Sequence, residues 1–231
     1  MVVAVAVATL WVAPQYARPL THLDTAARRA LVGKIETQAL YGERVQVLET
    51  RGAWARVVVP DQPTPRDRRG YPGWLRRSEL APSVSPVTVT RRLQRVRIGG
   101  RTLVLSYGTG TPRMPRTPAA IVADAERFVG VRYLWGGTSA FGFDCSGLLH
   151  LVFKSHGVLI PRDADAQAAR GRAVARADLR PGDLVFYGVR HVHHVALYVG
   201  AGKILEAPNS ASRVRISAMR WNDYAGARRY L

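Results

Sequence analysis

Apolar and polar residues alternate in short runs along the first third of the chain, and this pattern predicts β-strands. The runs lie at residues 2–13, 44–49, 54–59 and 71–75. A turn at Arg51-Gly52 joins the second run to the third, and a proline-rich, charged loop over 61–70 precedes the fourth. Residues 21–34 have instead the Ala/Arg/Leu spacing of a short helix. This region therefore predicts a β-rich SH3-like barrel with one helical insertion, ending near residue 82.

Helical periods and later strands characterise the rest of the chain. Thr117-Pro118 resembles an N-cap and first helical residue, which predicts a helix to Phe128. A second helix begins near Cys145 and ends at Gly157. Strands are expected at 87–90, 101–105, 184–187, 194–200, 203–206 and 213–216. Helices followed by antiparallel strands predict an α+β fold, with a linker at 111–118 dividing the chain into domains 1–115 and 116–231.

Charge is the unusual bulk property. The 231 residues contain 34 Lys and Arg against 16 Asp and Glu, a formal net charge of +18. Such a field favours anionic partners, among them anionic wall polymers. The arginines are scattered and no nucleic-acid-binding signature accompanies them, so no specific nucleic acid is expected.

The apolar N-terminal run, residues 2–13, is too short to cross a membrane. It has no basic residue before Arg18, which disfavours a secretory signal and favours a buried first strand. A signal peptide remains the alternative. One cysteine fits a reducing cytoplasm without excluding export, so a cytoplasmic location is favoured over a periplasmic or exported one.

The single cysteine, Cys145, lies where its helix begins. Backbone N–H groups and the positive end of the helix dipole stabilise a thiolate there. One cysteine makes neither an internal disulfide nor a thiolate-rich zinc site, so a chemical role would be that of a nucleophile. The alternative is a small buried hydrophobic residue.

A thiolate nucleophile needs a base, and the base needs an orienting group. Of the six histidines, His194 begins an alternating strand and Glu206 lies on the returning strand. We expect Glu206 to hold the Nδ1 proton of His194 and leave Nε2 facing the sulfur. The neighbouring His193 points to the opposite face. A metal site in the His-Val-His-His run is disfavoured, since adjacent strand residues diverge.

Several motifs together resemble the NlpC-type cell-wall peptidases, which are papain-like cysteine enzymes. They are Tyr-Leu-Trp-Gly-Gly (133–137), Phe-Asp-Cys-Ser-Gly (143–147), Leu-Arg-Pro-Gly-Asp-Leu-Val-Phe-Tyr (179–187), His-His-Val-Ala-Leu-Tyr-Val-Gly (193–200) and Glu-Ala-Pro (206–208). This resemblance covers about residues 118–231. Segments 7–11, 33–43, 70–74 and 224–231 extend it to the subgroup with N-terminal SH3-like domains, the γ-D-glutamyl-L-diamino-acid endopeptidases of murein peptide recycling.

The resemblance implies hydrolysis of the bond after γ-D-Glu in peptidoglycan stem peptides whose N-terminal L-Ala is free. It implies Cys145 as nucleophile, His194 as base, Glu206 as third member where many relatives have histidine, and Tyr133 as an oxyanion donor. It implies that Glu36, Tyr71 and Asp163 bind the L-Ala ammonium. It further implies that the substrate contacts Trp135, Asp144, Ser146 and His193. No cofactor or metal is expected. Ala164 stands where the subgroup tends to have serine, which removes one substrate hydrogen bond.

Three alternatives remain open at this point. The chain could be a wall-binding module whose basic surface tethers an inactive catalytic fold, or a general secreted wall hydrolase without the L-Ala requirement. It could also be an acyltransferase or amidase on the same core, because a thioester can be passed to another acceptor.

Overall fold

The N-terminal region is built around one antiparallel sheet. The computed structural model describes all 231 residues. The sheet has the strand order β3–β2–β6–β5–β4. Its strands are β2 (Val7–Trp11), β3 (Ile35–Leu40), β4 (Gln46–Arg51), β5 (Trp54–Val59) and β6 (Tyr71–Arg76). Its core contains Ala8, Leu10, Val57 and Leu75. The end strands β3 and β4 do not pair with each other, so the expected SH3-like domain is an open five-stranded sheet and does not close into a barrel.

The apolar run at 2–13 forms two strands where one was expected. β1 (Val2–Val3) pairs with β7 (Leu80–Ala81), and β2 then joins the five-stranded sheet. The expected helix at 21–34 shortens to α1 (Thr25–Arg29), because Asp24 caps it and Gly33 adopts a φ of +71°. Pairing partners elsewhere in the chain thus decide where the first strand divides.

A hairpin lies between the two halves of the chain. It consists of β8 (Leu93–Ile98) and β9 (Arg101–Ser106), joined by Gly99 and Gly100 at positive φ. The expectation of a strand at 101–105 is confirmed, whereas the expectation of a strand at 87–90 is wrong. The strand that pairs with β9 is β8. Residues 87–90 contain the buried Val89, which packs against Tyr41 and Leu105 without joining the ladder.

The second half combines helices with a six-stranded antiparallel sheet. Its helices are α2 (Pro118–Glu126), α3 (Cys145–Ser155) and α4 (Ala164–Ala168), and a small ladder pairs β10 (Thr138–Ser139) with β11 (Gly142–Phe143). The large sheet has the order β12–β17–β13–β14–β15–β16. Its strands are β12 (Arg172–Val174), β13 (Leu184–Tyr187), β14 (His194–Gly200), β15 (Lys203–Glu206), β16 (Arg215–Ala218) and β17 (Tyr224–Arg229). The α+β fold class is confirmed, while β12 and β17 were not expected.

Helix α3 follows from its sequence. The Asp144 carboxylate accepts a hydrogen bond from Gly147 N at 2.6 Å, which caps the first turn. Gly157 takes a φ of +72° just beyond the last turn, as a C-terminal glycine does. Leu149 and Val152 pack into the same core as Phe186 and Val195 of the large sheet. Because α3 lies against β14, Cys145 and His194 are brought together.

Polar contacts join the two halves of the molecule. The Gln38 side-chain oxygen of β3 accepts hydrogen bonds from Thr138 N at 3.2 Å and from Ser139 Oγ at 3.0 Å. Lys154 of α3 and Glu43 form a buried ion pair at 2.6 Å. Buried polar groups satisfied across a boundary fix the relative position of the two sides. No helix has both the length and the apolar composition that a membrane crossing requires.

Candidate active site

A cleft of about 390 Å³ opens at the N-terminus of α3, between the two halves of the chain. Nine of the eleven site residues expected from the sequence line it: Glu36, Tyr71, Tyr133, Trp135, Asp144, Cys145, Ser146, Asp163 and His193. The other two, His194 and Glu206, are buried. The fold therefore gathers side chains separated by up to 157 positions in sequence, from Glu36 to His193, around one concave surface.

Cys145 is the first residue of α3 and is partly exposed to the cleft. The first turn of a helix presents backbone N–H groups without intrahelical acceptors, and the helix dipole adds positive potential. Both stabilise a thiolate sulfur and the oxyanion that forms beside it. The position thus suits a nucleophile better than a buried hydrophobic residue.

His194 lies between the thiol and a carboxylate. Its Nε2 donates a hydrogen bond to Glu206 Oε2 at 2.9 Å, which leaves Nδ1 for the Cys145 side. The expected assignment of the two ring nitrogens is therefore wrong. Glu206 lies one position beyond Leu205, which pairs with Leu197 of β14, and its carboxylate meets Nε2 rather than Nδ1 of the ring. Burial acts to lower the pKa of His194, but interaction with Cys145 and then with Glu206 raises it to about 9.

Glu206 is buried among positive charges. In addition to His194, its carboxylate accepts hydrogen bonds from Arg215 Nη2 at 3.0 Å, Ser217 Oγ at 3.0 Å and Arg220 Nη1 at 3.1 Å. Burial opposes ionisation, but these donors outweigh it and hold the pKa of Glu206 well below its ordinary range. Glu206 is therefore an ionised orienting group whose charge is shared among three cationic partners.

The arginines around Glu206 were not expected to belong to the site. Arg215 is directly opposite Glu206 in the β15–β16 ladder, so an opposite-charge cross-strand pair was the available signal. Arg220 also lies over the Tyr187 ring, at 4.1 Å from its centroid, and that ring packs beside His194. Arg215 and Arg220 thus restrict the His194 imidazole from two directions, through the Glu206 carboxylate and through the Tyr187 ring.

Tyr133 is buried beside Cys145 at the cleft wall. Burial, followed by the negative charges of Asp144 and Cys145, raises the pKa of Tyr133 above its ordinary range. Its hydroxyl therefore stays protonated at any physiological pH. A phenol in this state can donate a hydrogen bond to an oxyanion.

The three side chains expected to bind an ammonium are adjacent, with an additional cation among them. Tyr71 Oη donates to the Asp163 carboxylate, with oxygen–oxygen distances of 2.9 and 3.1 Å. Burial raises the pKa of Asp163, although the charge of Arg162 opposes this effect. Glu36 lies on β3, not at a helix end, and both of its carboxylate oxygens accept from Arg66. Nothing in the arginine-rich loop at 61–70 distinguishes Arg66 in the sequence.

Asp144 and Ser146 line the cleft, but their side chains are engaged by Arg162. This fully buried guanidinium donates to Asp144 Oδ2 at 2.7 Å, to Ser146 Oγ at 3.0 Å and to Thr37 Oγ1 at 2.9 Å. Arg162 thus ties the N-terminus of α3 to strand β3. The sequence analysis gave Arg162 no role, and its position directly before Asp163 was the available signal.

The remaining cleft residues form its walls. Trp135 Nε1 donates to Ile35 O at 3.1 Å, which fixes an indole that is 38% exposed. His193 precedes β14 and faces the cleft. No group of three or more His, Cys, Asp or Glu side chains is arranged to hold a metal ion.

Comparison with known proteins identifies the family of this chain. The NlpC/P60 family matches residues 130–228, and the bacterial dipeptidyl-peptidase SH3 domain matches residues 29–80. The chain is 34% identical to a gamma-D-glutamyl-L-lysine dipeptidyl-peptidase of Bacillus cereus, over 98% of this chain and 90% of that protein. A Bacillus subtilis protein of the same name is 32% identical over 91% of this chain and 90% of its own length.

One shorter sequence match and one solved structure point to the same family. Peptidoglycan endopeptidase RipB of Mycobacterium tuberculosis is 41% identical over 48% of this chain and 54% of its own length. The crystal structure of an NlpC/P60 family protein from Bacillus cereus superposes with a TM-score of 0.83 at 29% identity, covering 100% of this chain and 99% of that one. The chain therefore belongs to the NlpC/P60 family of papain-like cysteine peptidases and carries an N-terminal SH3-like domain.

Proposed function

We propose that this enzyme hydrolyses the bond between γ-D-Glu and the following L-diamino acid in peptidoglycan stem peptides that begin with a free L-Ala. The single observation that supports this most strongly is the Tyr71–Asp163 pair with Glu36 beside it, at one end of the cleft that contains Cys145. Two carboxylates and a phenol form a site for an ammonium group. The two long relatives are named for the same bond with L-lysine as the diamino acid.

The reaction proceeds in two stages, acylation of Cys145 and its deacylation by water. The Cys145 thiolate attacks the γ-carbonyl carbon of D-Glu, and the oxyanion accepts hydrogen bonds from the Cys145 backbone N–H and Tyr133 Oη. Protonated His194 gives its Nδ1 proton to the amine of the leaving diamino acid, and the C–N bond breaks to leave a thioester. Neutral His194 then takes a proton from water, which attacks the thioester and releases L-Ala-D-Glu and the thiolate.

The ammonium subsite explains the proposed choice of substrate. A stem peptide attached to the glycan has an amide at the nitrogen of L-Ala, whereas a released peptide has an ammonium there. An amide buried against Glu36 and Asp163 would bring no positive charge to these carboxylates, whereas an ammonium would donate charge-assisted hydrogen bonds to them. The proposed role is therefore turnover of released peptides, and a cytoplasmic site of action is part of the proposal.

Digestion of synthetic peptides, with the products identified by mass spectrometry, tests this function. We expect L-Ala-γ-D-Glu-L-Lys or its diaminopimelate analogue to yield L-Ala-D-Glu, and the Cys145→Ala variant to release none while unfolding at the same temperature. The analogue cleaved faster identifies the diamino acid. Products cut at another bond, or transfer of L-Ala-D-Glu to an added amine in place of hydrolysis, would contradict the proposal.

A general wall endopeptidase is the second candidate. The match to RipB favours it, because that protein is named a peptidoglycan endopeptidase and matches only 48% of this chain. Release of soluble fragments from intact sacculi at a rate comparable with that on free peptides would support this candidate. Binding to sacculi without any hydrolysis would instead support a wall-binding module.

A further inference from the structure

Arg66 lies where the proposed function places the ammonium of the substrate. Its guanidinium donates Nη2 to Glu36 Oε1 at 2.8 Å and Nη1 to Glu36 Oε2, and Nη1 also reaches Tyr71 Oη at 3.3 Å. The guanidinium carbon is 5.3 Å from the centroid of the Tyr71 ring. One side chain of this protein therefore engages two of the three groups that would bind the L-Ala nitrogen.

Burial shows which partner is fixed and which can move. The Glu36 side chain is 13% exposed on a paired strand, whereas the Arg66 side chain is 46% exposed on the loop at 61–70. Tyr71 is buried on β6. Glu36 and Tyr71 thus belong to paired strands of the N-terminal sheet, and the cation reaches them from a more exposed loop.

Charge balance explains why a cation of the protein itself lies beside Glu36. Glu36 and Asp163 present two carboxylates, while the nearby Arg162 is directed to Asp144. Arg66 is the cation that pairs with Glu36 in the free enzyme. A substrate ammonium brings a second positive charge to the same carboxylate, so the two cations repel each other when both are present.

We propose that Arg66 is an intramolecular competitor, a resident cation that the N-terminal ammonium of the substrate displaces from Glu36 on binding. This inference rests on the proposed function. Arg66 sets the affinity of the subsite for the free amine without contacting the reacting atoms. Displacing Arg66 from Glu36 uses part of the binding energy of the substrate. An amine therefore has to interact with Glu36 more strongly than Arg66 does, and the KM is higher than it would be without Arg66.

The expected result of Arg66→Gln is a lower KM for L-Ala-γ-D-Glu-L-Lys with kcat unchanged. An ion pair exposed to this extent predicts a decrease of about two- to fivefold, or roughly 0.4–1 kcal/mol at 1.4 kcal/mol per tenfold. The matched control is Arg69→Gln. Arg69 lies on the same loop with 48% exposure, but it pairs with Asp67 at 2.7 Å and does not line the cleft. That control should leave both constants unchanged.

Binding measured without turnover separates this inference from the proposed function. Calorimetric titration of Cys145→Ala with the same peptide should show tighter binding after Arg66→Gln is added, and this gain should vanish when Glu36→Gln is present as well. Unchanged or weaker binding overturns the role of Arg66, even if the wild-type enzyme cleaves the peptide and prefers its free amine. Wild-type enzyme that binds the peptide but cleaves another bond overturns the proposed function alone.

Discussion

At the scale of single residues, the site depends on pairs of groups whose charges are adjusted by burial and hydrogen bonding. His194 is protonated near neutral pH because Cys145 and Glu206 outweigh its desolvation. Glu206 stays ionised in a buried position because Arg215, Arg220 and Ser217 donate to it along with His194. A glutamate at this position therefore has its own supporting side chains, which a histidine would not require.

The pH profile of the reaction should report this arrangement. In the proposed mechanism protonated His194 supplies the proton to the leaving amine, and this form is lost as pH rises through its pKa of about 9. We therefore expect kcat/KM to fall above about pH 9. Glu206→Gln removes one of the groups that raise this pKa, so the decline should begin at a lower pH, and kcat should fall by roughly 10²–10⁴-fold.

The control for this measurement is Glu49→Gln, which removes a carboxylate paired with Arg51 on β4, away from the cleft. It should leave the profile unchanged. If kcat/KM begins to fall at the same pH in Glu206→Gln as in the wild type, Glu206 does not determine the protonation of His194.

At the scale of elements, the N-terminus of α3 is held by close backbone contacts as well as by its cap. Gly147 belongs to the first turn, and a Cβ atom there would lie only 2.1 Å from Gly137 O. That carbonyl also accepts a hydrogen bond from Asp144 N at 3.1 Å. Gly136, at a φ of +71°, packs equally closely on Ile35 of β3. The Trp-Gly-Gly segment is thus packed between the nucleophile's helix and the N-terminal sheet.

Gly147→Ala should therefore reverse the usual preference of helices for alanine. Alanine is worth about 1 kcal/mol more than glycine in a helix, but the clash at Gly137 O predicts a net loss of about 1–3 kcal/mol. Denaturant unfolding measures this difference. Ala123→Gly, at an exposed position of α2, measures the difference in helix propensity between alanine and glycine without such a contact. Increased stability of Gly147→Ala would show that the contact with Gly137 relaxes freely.

The elements that the sequence predicts correctly are those with local signals. The caps at Thr117 and Asp144 and the glycine at 157 fix helices α2 and α3 without long-range information. Strands β13 to β15 likewise follow from alternation and short turns. Strand β17 does not, because it inserts between β12 and β13 from the end of the chain, and only the pairing in space reveals it. The division of the 2–13 run has the same kind of cause.

The scale of the whole molecule explains which site residues the sequence could not predict. Motif order is enough to predict that Cys145 and His194 meet, since both motifs are specific. Arg66 carries no such signal, because it is one of three arginines in a four-residue stretch and only the docking of the two halves brings it to the cleft. The assignment of the His194 nitrogens also depends on the three-dimensional approach of Glu206. The boundary between domains at 115 and 116 stays a prediction.

The proposed ammonium subsite depends on the whole molecule as well. Glu36 and Tyr71 come from the N-terminal sheet, whereas Asp163 comes from the catalytic half. Their relative position depends on contacts across the boundary, among them Arg162 with Thr37 and Gln38 with Ser139. The N-terminal domain is therefore proposed to act as part of the active site that reads the start of the peptide.

The ratio of kcat/KM for L-Ala-γ-D-Glu-L-Lys to that for its N-acetylated form tests this account most directly. Acetylation removes the ammonium and leaves the scissile bond unchanged. We expect the wild-type ratio to exceed about 100, since the charge-assisted hydrogen bonds that acetylation removes are worth about 1.5–3 kcal/mol each. The ratio should fall by at least tenfold in Glu36→Gln. Equal rates on the two peptides would contradict the proposed subsite and leave a cysteine peptidase that does not recognise the N-terminus.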